Sequence, residues 1–324
     1  MAEILSAPPT VSIVVNLYNG ERYVAECLRS VLDLEGGHPL QVIVVDDAST
    51  DASEAVVRGF DDPRIEYLRL AANGGAAAAI SAAFQRVRGE YVGRIDYDDR
   101  YRPNFLVESI AALKADPDAA FVCGRAEMID PDGRPTGIVG PSDYGEAGGA
   151  KDRFAALLAD HFVTAPTILG RTAHWMRAMP VPQGMNFCDW YMNLTMAETA
   201  PVAVVEAVTA DYRIHPANMH STMVMDGTGE AITFEVLDRF LVRGPRGPEL
   251  SARRRSILAR HRAKWGDAYF GAGLHADALR CYAAALRLDL GQSLKRRFLH
   301  RMLGAAIGPR AYGALKSIVA RRAP

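Results

Sequence analysis

Residues 11–47 read VSIVVNLYNGERYVAECLRSVLDLEGGHPLQVIVVDD, and the pattern of this stretch decides the fold. Its ends, VSIVVNL at 11–17 and QVIVV at 41–45, are short β-branched runs bounded by polar or turn residues, as strands buried on both faces are. Between them Val24, Cys27, Leu28, Val31 and Leu32 recur at helical spacing. Strand, helix, strand in one short span is a βαβ unit, which predicts a parallel pair with a helix over one face.

The alternation continues outward. Residues 53–60 read as a helix, 65–70 as a strand, 76–87 as an Ala-rich helix, 90–95 as a strand, 104–115 as a helix and 120–123 as a strand. This predicts an open α/β architecture, a mostly parallel, Rossmann-like sheet flanked by helices. Residues 130–150 contain several Gly and Pro and read as a loop or irregular hairpin. Short helices at 154–158 and 172–179 bracket a strand-like 163–169; a helix follows over 187–199 and a last strand over 203–208. The Gly/Pro-rich RGPRGPEL at 243–250 interrupts the pattern. Beyond it the chain is helical and basic, so the expected division is an α/β domain over 1–245 and a helical C-terminal appendage over 246–324. Within the appendage ADALRCYAAALRL (276–288) resembles one helix of a tetratricopeptide-type repeat, but only one copy is present and such repeats need neighbours.

The chain has 324 residues, 49% of them hydrophobic, enough for a substantial core and against disorder. A formal net charge of -1 conceals a split: residues 251–324 hold sixteen Lys/Arg against three Asp/Glu, a net of +13, and the first 250 hold 21 against 35, a net of -14. Cys27, Cys123, Cys188 and Cys281 have no metal-binding spacing and read as buried free thiols of a reducing compartment. The opening MAEILSAPPT lacks the basic start and apolar stretch of a signal peptide, and no apolar run is long enough to span a bilayer. A cytoplasmic protein, soluble or peripheral to the membrane, is expected.

Ligands of open α/β sheets bind beyond the carboxyl ends of the strands. Asn16, Tyr18 and Asn19 follow the first strand here, Asp46 and Asp47 the second, Asn73, Gly74 and Gly75 the third, and Asp96, Asp98 and Asp99 the fourth. In extended chain Asp96 and Asp98 would face one target. Adjacent carboxylates repel unless something holds them, and hard oxygen ligands suit Mg²⁺ or Mn²⁺, which also bridges phosphates. A solvated turn is the competing reading of the same residues. At Asp46-Asp47 a helix cap is the competing reading, with Ser49, Thr50 and Asp51 all suited to it; Asp47 could still accept from a nucleobase ring N–H, with Tyr18 stacked on that base.

Residues 11–125 resemble the family 2 glycosyltransferases. The resemblance rests on VSIVVNLYNGERYVAECLRSVL, then VIVVDDASTD, then NGGAAAAISAAFQRVRGEYVGRIDYDDRYRPNFL, whose order and spacing follow the family pattern for more than a hundred residues. It implies a GT-A fold, a catalytic domain over 1–245, a nucleotide-sugar donor with uracil as its base, and inversion at the anomeric carbon by direct displacement. It also implies roles. Asp47 would bind the base, with Asn16 and Tyr18 beside it and Asn73 and Gly75 nearby. Asp98 would contact ribose or metal, and Asp99 the metal and diphosphate. Asp96 completes the acidic motif, and Arg94 would hold that cluster or a phosphate. Asp189 at the head of a helix, within Asn186-Phe187-Cys188-Asp189, would be the catalytic base, with Cys188 where the family usually has Glu; a helix-dipole cap is the competing reading. His215 in YRIHPANMHS (212–221) would complete the metal or diphosphate site. His161 and Thr164 are further candidates for the acceptor side. Two positions depart from the family: Ala79-Ile80-Ser81 replaces Ala-Arg-Asn, which removes a cation from the diphosphate, and Asn16 stands where Thr, Pro or Ser is frequent.

The expected cofactor is Mg²⁺ or Mn²⁺, the acceptor a glycan or a lipid-linked glycan, and the setting bacterial surface polysaccharide or lipopolysaccharide synthesis at the inner face of the plasma membrane. The basic 251–324 segment would either bind anionic lipid or pack on the acidic domain. A nucleotide-sugar-binding scaffold without transfer activity is the alternative, and it would not need Asp189. No G-x-G-x-x-G follows the first strand, which argues against a dehydrogenase; NLYNGERY is not the Gly-rich basic loop of a nucleotidylyltransferase; and no nucleic-acid-binding module is present.

Overall fold

The structure, a computed structural model, describes residues 10–141, 152–185, 188–215, 219–290, 299–306 and 308. The chain forms two compact units, Met1–His215 and Pro216–Pro324. The compositional break at 243–250 lies inside the second.

The first unit follows the β-α alternation. In order come β1 (Val11–Leu17), α1 (Val24–Leu32), β2 (Leu40–Asp46), α2 (Ser53–Arg58), β3 (Ile65–Arg69), α3 (Gly75–Phe84), β4 (Tyr91–Asp96), β5 (Arg100–Tyr101), α4 (Phe105–Ala115), β6 (Phe121–Ile129) and β7 (Pro135–Val139). They are followed by α5 (Arg153–Ala159), β8 (Ile168–Arg171), α6 (Thr172–Trp175), α7 (Cys188–Ala197) and β9 (Val202–Arg213). The sheet order is β3-β2-β1-β4-β8-β6-β9-β5, with β7 on β6. β3, β2, β1 and β4 are mutually parallel, β8 reverses direction between β4 and β6, and β6 and β9 are again parallel.

Every residue of β1 is buried, as a strand covered on both faces requires. α1 turns Val24, Cys27, Leu28 and Val31 into the core, the face its spacing predicts. The turn into α1 passes Gly20, where a Cβ would lie 2.4 Å from Cδ2 of Tyr97, so a side chain there would displace the ring beside the acidic cluster. The register pairs Asn16 with Asp96 and Leu17 with Asp46, so the strands of the parallel half end level with one another.

The Gly/Pro-rich 130–150, expected as a loop or irregular hairpin, contains β7, which forms a hairpin with β6 whose register shifts at Met128/Ile129. The second half of the sheet departs from the sequence pattern in two places. The strand expected at 163–169 is β8, Ile168–Arg171, preceded by a 3₁₀ turn over Ala165–Thr167; Pro166 has no N–H to donate to a ladder. The last strand is Val202–Arg213 rather than 203–208. Its polar end, which includes Asp211 and Arg213, remains in the sheet because β6 runs alongside to Ile129↔Arg213 and β5 pairs Arg100↔Asp211.

The described part of the second unit is helical: α8 (Met219–Met225), α9 (Thr228–Asp238), α10 (Arg254–Gly271) and α11 (His275–Leu288). Gly229 and Gly266 permit close packing, since a Cβ would meet the Trp265 ring at 2.4 Å and the Tyr282 ring at 2.6 Å respectively. Glu230 of α9 is 7% exposed and lies among donors from both later helices. It accepts from Tyr269 Oη at 3.0 Å and Arg280 Nη1 at 2.9 Å, and it pairs with Arg262. Burial alone would raise the Glu230 carboxyl, but the Arg280 and Tyr269 contacts outweigh it and the pKa is lowered. A lowered carboxylate pKa stabilises the fold above its unfolded value of about 4.3, and that stability is lost as pH falls through the folded value. Glu230→Gln should therefore cost the full chain about 1–3 kcal/mol at pH 7, less than a fully buried pair because both arginines keep water contact. Denaturant melts should also show less acid sensitivity below about pH 4 in the variant; equal stability at pH 7 would refute this role.

Candidate active site

The ends of β1, β2 and β4 form one edge, and the two aspartates at the end of β2 have different work there. Asp46 is fully buried and its carboxylate is spent on the fold: it accepts from Ser49 N at 2.7 Å and Arg69 Nη1 at 2.9 Å, and from the Tyr67 hydroxyl. Asp47 points to the next loop. Its two oxygens accept from Gly74 N and Gly75 N, both at 2.8 Å, which clamps the start of α3. Gly75 has φ 78°, a left-handed backbone that favours glycine. Asn19, also left-handed at φ 49°, joins the first loop to the second: its Oδ1 accepts from Thr50 N at 2.8 Å and its N–H donates to Ser49 Oγ at 2.9 Å. Tyr18 is 42% exposed on this edge and Asn73 is exposed as well. Thus Asn16, Asp47 and Gly75 lie in the framework of the edge, with Tyr18 and Asn73 on its solvent side.

The acidic cluster is not an extended run. The chain turns after Asp96, with Asp99 N donating to Asp96 O at 3.1 Å, so the three carboxylates diverge to separate partners. Asp96 Oδ1 accepts from Asn16 Nδ2 and from Arg94 Nη1, both at 3.0 Å. Asp98 Oδ2 lies 2.8 Å from His215 Nε2, which unites the two segments of the motif. Asp99 Oδ1 accepts from Arg213 N at 2.8 Å. Two acceptor atoms are left over: Asn16 Oδ1 and Asp99 Oδ2 are buried and have no hydrogen-bond partner among the described residues. Burial, then the charge of Asp96, raises the Asp98 carboxyl, with His215 pulling it back. Burial raises Asp99 well above the carboxylate range, followed by the charges of Asp98 and Asp96, against which the Arg213 N–H and Arg94 act.

Among the described residues no group of three or more His, Cys, Asp or Glu is placed to hold a metal ion. The donors nonetheless fit a divalent cation chemically: an imidazole bonded to Asp98, and an Asp99 oxygen that is buried beside two other carboxylates without a donor.

Arg213, Glu26 and Tyr23 are central to this arrangement, and sequence reasoning gave none of them a role. Arg213 is 2% exposed. Besides its backbone bond to Asp99, its Nε donates to Asp98 O at 2.7 Å, its Nη2 to Glu26 Oε2 at 2.6 Å, and its Nη1 to the carbonyls of Asp130 and Pro131 at 3.3 Å. The guanidinium lies 4.6 Å from the Tyr23 ring centroid, and the same ring stacks on His215 at 5.6 Å. From Glu26 the ion pairs continue through Arg100 to Asp211, and through Arg102 to Glu127. The adjacency of Tyr-Arg-x-His to the predicted His215 was the one local signal for Arg213.

Asp189 lies in the first turn of α7. Its side chain is 25% exposed, and His161 Nε2 is 3.9 Å from its Oδ2. His161 is tilted against Trp190, whose indole donates to Leu157 O at 2.9 Å. Thr164 caps the 3₁₀ turn, its carbonyl accepting from Thr167 N at 3.0 Å. Asn186 and Phe187, like residues 216–218 and the side chains of 219–221, lie outside the described residues. Burial pulls the Arg94 guanidinium down, but the charges of Asp96 and Asp189 help to raise it against that effect; burial raises the Tyr212 hydroxyl, and the charges of Asp99, Asp96, Asp189 and Asp98 add to it. Cys188, where the family's Glu would stand, is buried, and burial pushes its thiol up to about 12.

The chain is similar to known proteins. The glycosyl transferase family 2 model matches residues 12–164. TuaG of Bacillus subtilis, named for teichuronic acid biosynthesis, is 32% identical over 129 residues, 39% of this chain and 50% of that protein. The succinoglycan biosynthesis protein ExoO of Rhizobium meliloti is 33% identical over 126 residues, 39% of this chain and 36% of that protein. The match thus spans half or less of these relatives. Among solved structures, S. aureus TarS 1–349 in complex with UDP-GlcNAc superposes with a TM-score of 0.55 at 17% identity, covering 91% of each chain. The mannosyltransferase PcManGT from Pyrobaculum calidifontis, in complex with GDP-Man and Mn²⁺, gives 0.59 at 20% identity, covering 93% of this chain and 87% of that one. Residues 12–164 thus match glycosyl transferase family 2, and the fold is of the GT-A type.

Proposed function

We propose that the chain is an inverting glycosyltransferase that moves a sugar from a nucleoside-diphosphate sugar, a UDP-sugar by the resemblance, to a hydroxyl of a glycan or lipid-linked acceptor. The observation that carries this reading is the edge where Asp47, Asp96, Asp98 and Asp99 follow the ends of β2 and β4, the parallel strands on either side of β1, with the buried acceptors Asn16 Oδ1 and Asp99 Oδ2 unsatisfied among the described residues. An unpaired buried polar atom costs about 1–3 kcal/mol, which a bound donor or cation would offset.

In this reading Asn16, Tyr18, Asp47, Asn73 and Gly75 receive the nucleoside, with Tyr18 as an exposed stacking surface. Arg94, Asp96 and Asp98 line the diphosphate and sugar. Asp98, Asp99 and His215 would hold Mg²⁺ or Mn²⁺, whose chemistry is to neutralise the charge of the departing diphosphate. The Mn²⁺ in the PcManGT complex supports a metal in this kind of site. Ala79-Ile80-Ser81 supply no cation to that charge, which places more of the task on Arg94 and the metal.

Asp189 is the base. The acceptor oxygen attacks the anomeric carbon as its proton passes to the Asp189 carboxylate, and the bond from that carbon to the phosphate oxygen breaks on the opposite face. The names of TuaG and ExoO support a setting in surface polysaccharide synthesis. No described helix is long and apolar enough to cross a membrane. Peripheral attachment at the inner face of the plasma membrane through the basic 251–324 segment fits a lipid-linked acceptor.

Asp189→Ala should lower transfer by about 10²–10⁴-fold while donor affinity in calorimetry stays within about twofold. Transfer at the wild-type rate in that variant removes Asp189 from the mechanism, and absence of transfer in the wild type with donor bound favours the scaffold reading. For Asp99→Asn, the Mn²⁺-dependent part of donor binding should fall about tenfold or more, as a charge-assisted contact is lost. A variant with unchanged Mn²⁺ dependence would overturn that assignment.

A further inference from the structure

His215 lies beyond the regular pairing of β9. The ladder ends with Ile129↔Arg213, and after it Ile214 N donates to Ile129 O at 2.9 Å. A side chain past a strand end keeps one orientation only where other side chains hold it. Asp98 and Tyr23 supply such contacts. His215 Nε2 lies 2.8 Å from Asp98 Oδ2, and the imidazole stacks on the Tyr23 ring, with centroids 5.6 Å apart and planes 25° from parallel.

Tyr23 is itself anchored at the start of α1. Its N–H donates to Gly20 O at 3.0 Å, and its carbonyl accepts from Glu26 N at 2.9 Å and Cys27 N at 3.1 Å. The residue is buried, and the Arg213 guanidinium lies over its ring at 4.6 Å. That guanidinium is also buried, and a desolvated cation holds an aromatic face more strongly than an exposed one. The ring is therefore a platform assembled without any ligand, held by α1 through its backbone and by Arg213 through its face.

The consequence falls on the ligand set. A ligand side chain that is already oriented loses less freedom when an ion binds, so affinity depends also on the groups behind the ligands. In the set Asp98, Asp99 and His215, the Arg213 N–H orients Asp99 and the Tyr23 ring lies against His215. The stacking contact is made by the aromatic face and does not need the phenol oxygen.

We propose that Tyr23 is a positioning residue whose ring holds the His215 imidazole toward Asp98, ready to share a divalent cation with that carboxylate. The proposal rests on the glycosyl-transfer reading, with His215 as a metal ligand, and deepens it.

The test measures how far Mn²⁺ strengthens the binding of UDP and of GDP to the full chain, as the ratio of calorimetric affinities in Mn²⁺ and in EDTA. In Tyr23→Phe the ratio should stay within about twofold of wild type, because the ring remains. In Tyr23→Leu it should fall about three- to tenfold, the scale of one aromatic pair, while affinity in EDTA stays within about twofold. In a His215→Ala background the Leu substitution should lower the ratio no further, since the ring then has nothing to position. An unchanged ratio in Tyr23→Leu, an equal fall in Tyr23→Phe, an equal loss in EDTA, or a fall that persists without His215 overturns the proposal.

A measurement on the wild-type protein is independent of whether the Leu variant folds. With the imidazole resonances identified by their loss in His215→Ala, a nuclear Overhauser contact should join the Tyr23 and His215 rings in metal-free protein. It should persist when Mg²⁺ and the diphosphate are bound. Absence of the contact, or its loss on binding, overturns the proposal. If His215→Ala keeps the wild-type Mn²⁺ ratio, His215 is not a metal ligand and the proposal falls with that assignment, while the rest of the glycosyl-transfer reading stands. If wild type binds neither diphosphate in either condition, the glycosyl-transfer reading itself fails.

Discussion

The interaction on which the site depends is the attachment of the Asp98-Asp99 turn to Arg213. A buried guanidinium has five N–H donors and is stable only where they find acceptors. Here they reach Glu26 of α1, the Asp98 carbonyl and the Asp130-Pro131 turn, while the Arg213 backbone N–H takes Asp99 Oδ1. One residue thus ties the first helix, the acidic turn, the β6-β7 hairpin and the last strand of the sheet. The Tyr23 ring between Arg213 and His215 extends the same attachment to the imidazole that meets Asp98.

That attachment determines the electrostatics of the edge. Carboxylates at Asp96, Asp98 and Asp99 repel one another, and burial increases the penalty, which is why Asp98 and Asp99 both hold their protons more tightly than an exposed carboxylate. The protein compensates in part, with Asn16 and Arg94 on Asp96, His215 on Asp98 and a backbone N–H on Asp99. The compensation stops short at Asp99 Oδ2. The edge is therefore a framework with most of its acceptors satisfied and a small number left over where α/β sheets bind ligands.

The parallel half of the sheet was legible because its signals are local. Each β-branched run, and the apolar stripe of α1, can be read within a window of a few turns. The later strands were harder for identifiable reasons. β9 carries Asp211 and Arg213 in its ladder, residues that alternate like a strand but read as polar until Arg100, Arg102 and Glu26 are brought to them. β8 begins late because Pro166 cannot join a ladder, and β7 lies in a stretch whose Gly and Pro left a loop and an irregular hairpin both open. Among the site residues, the sequence placed Asp47, Asp96, Asp98 and Asp99 at strand ends, and it offered His215 through its neighbourhood. Arg213 and Glu26 stood in plain view without a recognisable pattern, since they are 187 positions apart.

The sequence by itself determined the order of strands and helices in the first half, the carboxylates at the strand ends and the charge division of the chain, because residue type and short-range period carry that information. Only the tertiary structure decided what each carboxylate does. Asp46 and Asp47 are adjacent and chemically identical, yet one is enclosed by Tyr67, Arg69 and Ser49 and the other clamps the start of α3. Asp96 and Asp98, expected to face one target, part company because the chain turns between them. Hydrogen-bond partners come from distant segments, and the burial that shifts a carboxyl pKa exists only once those segments are packed.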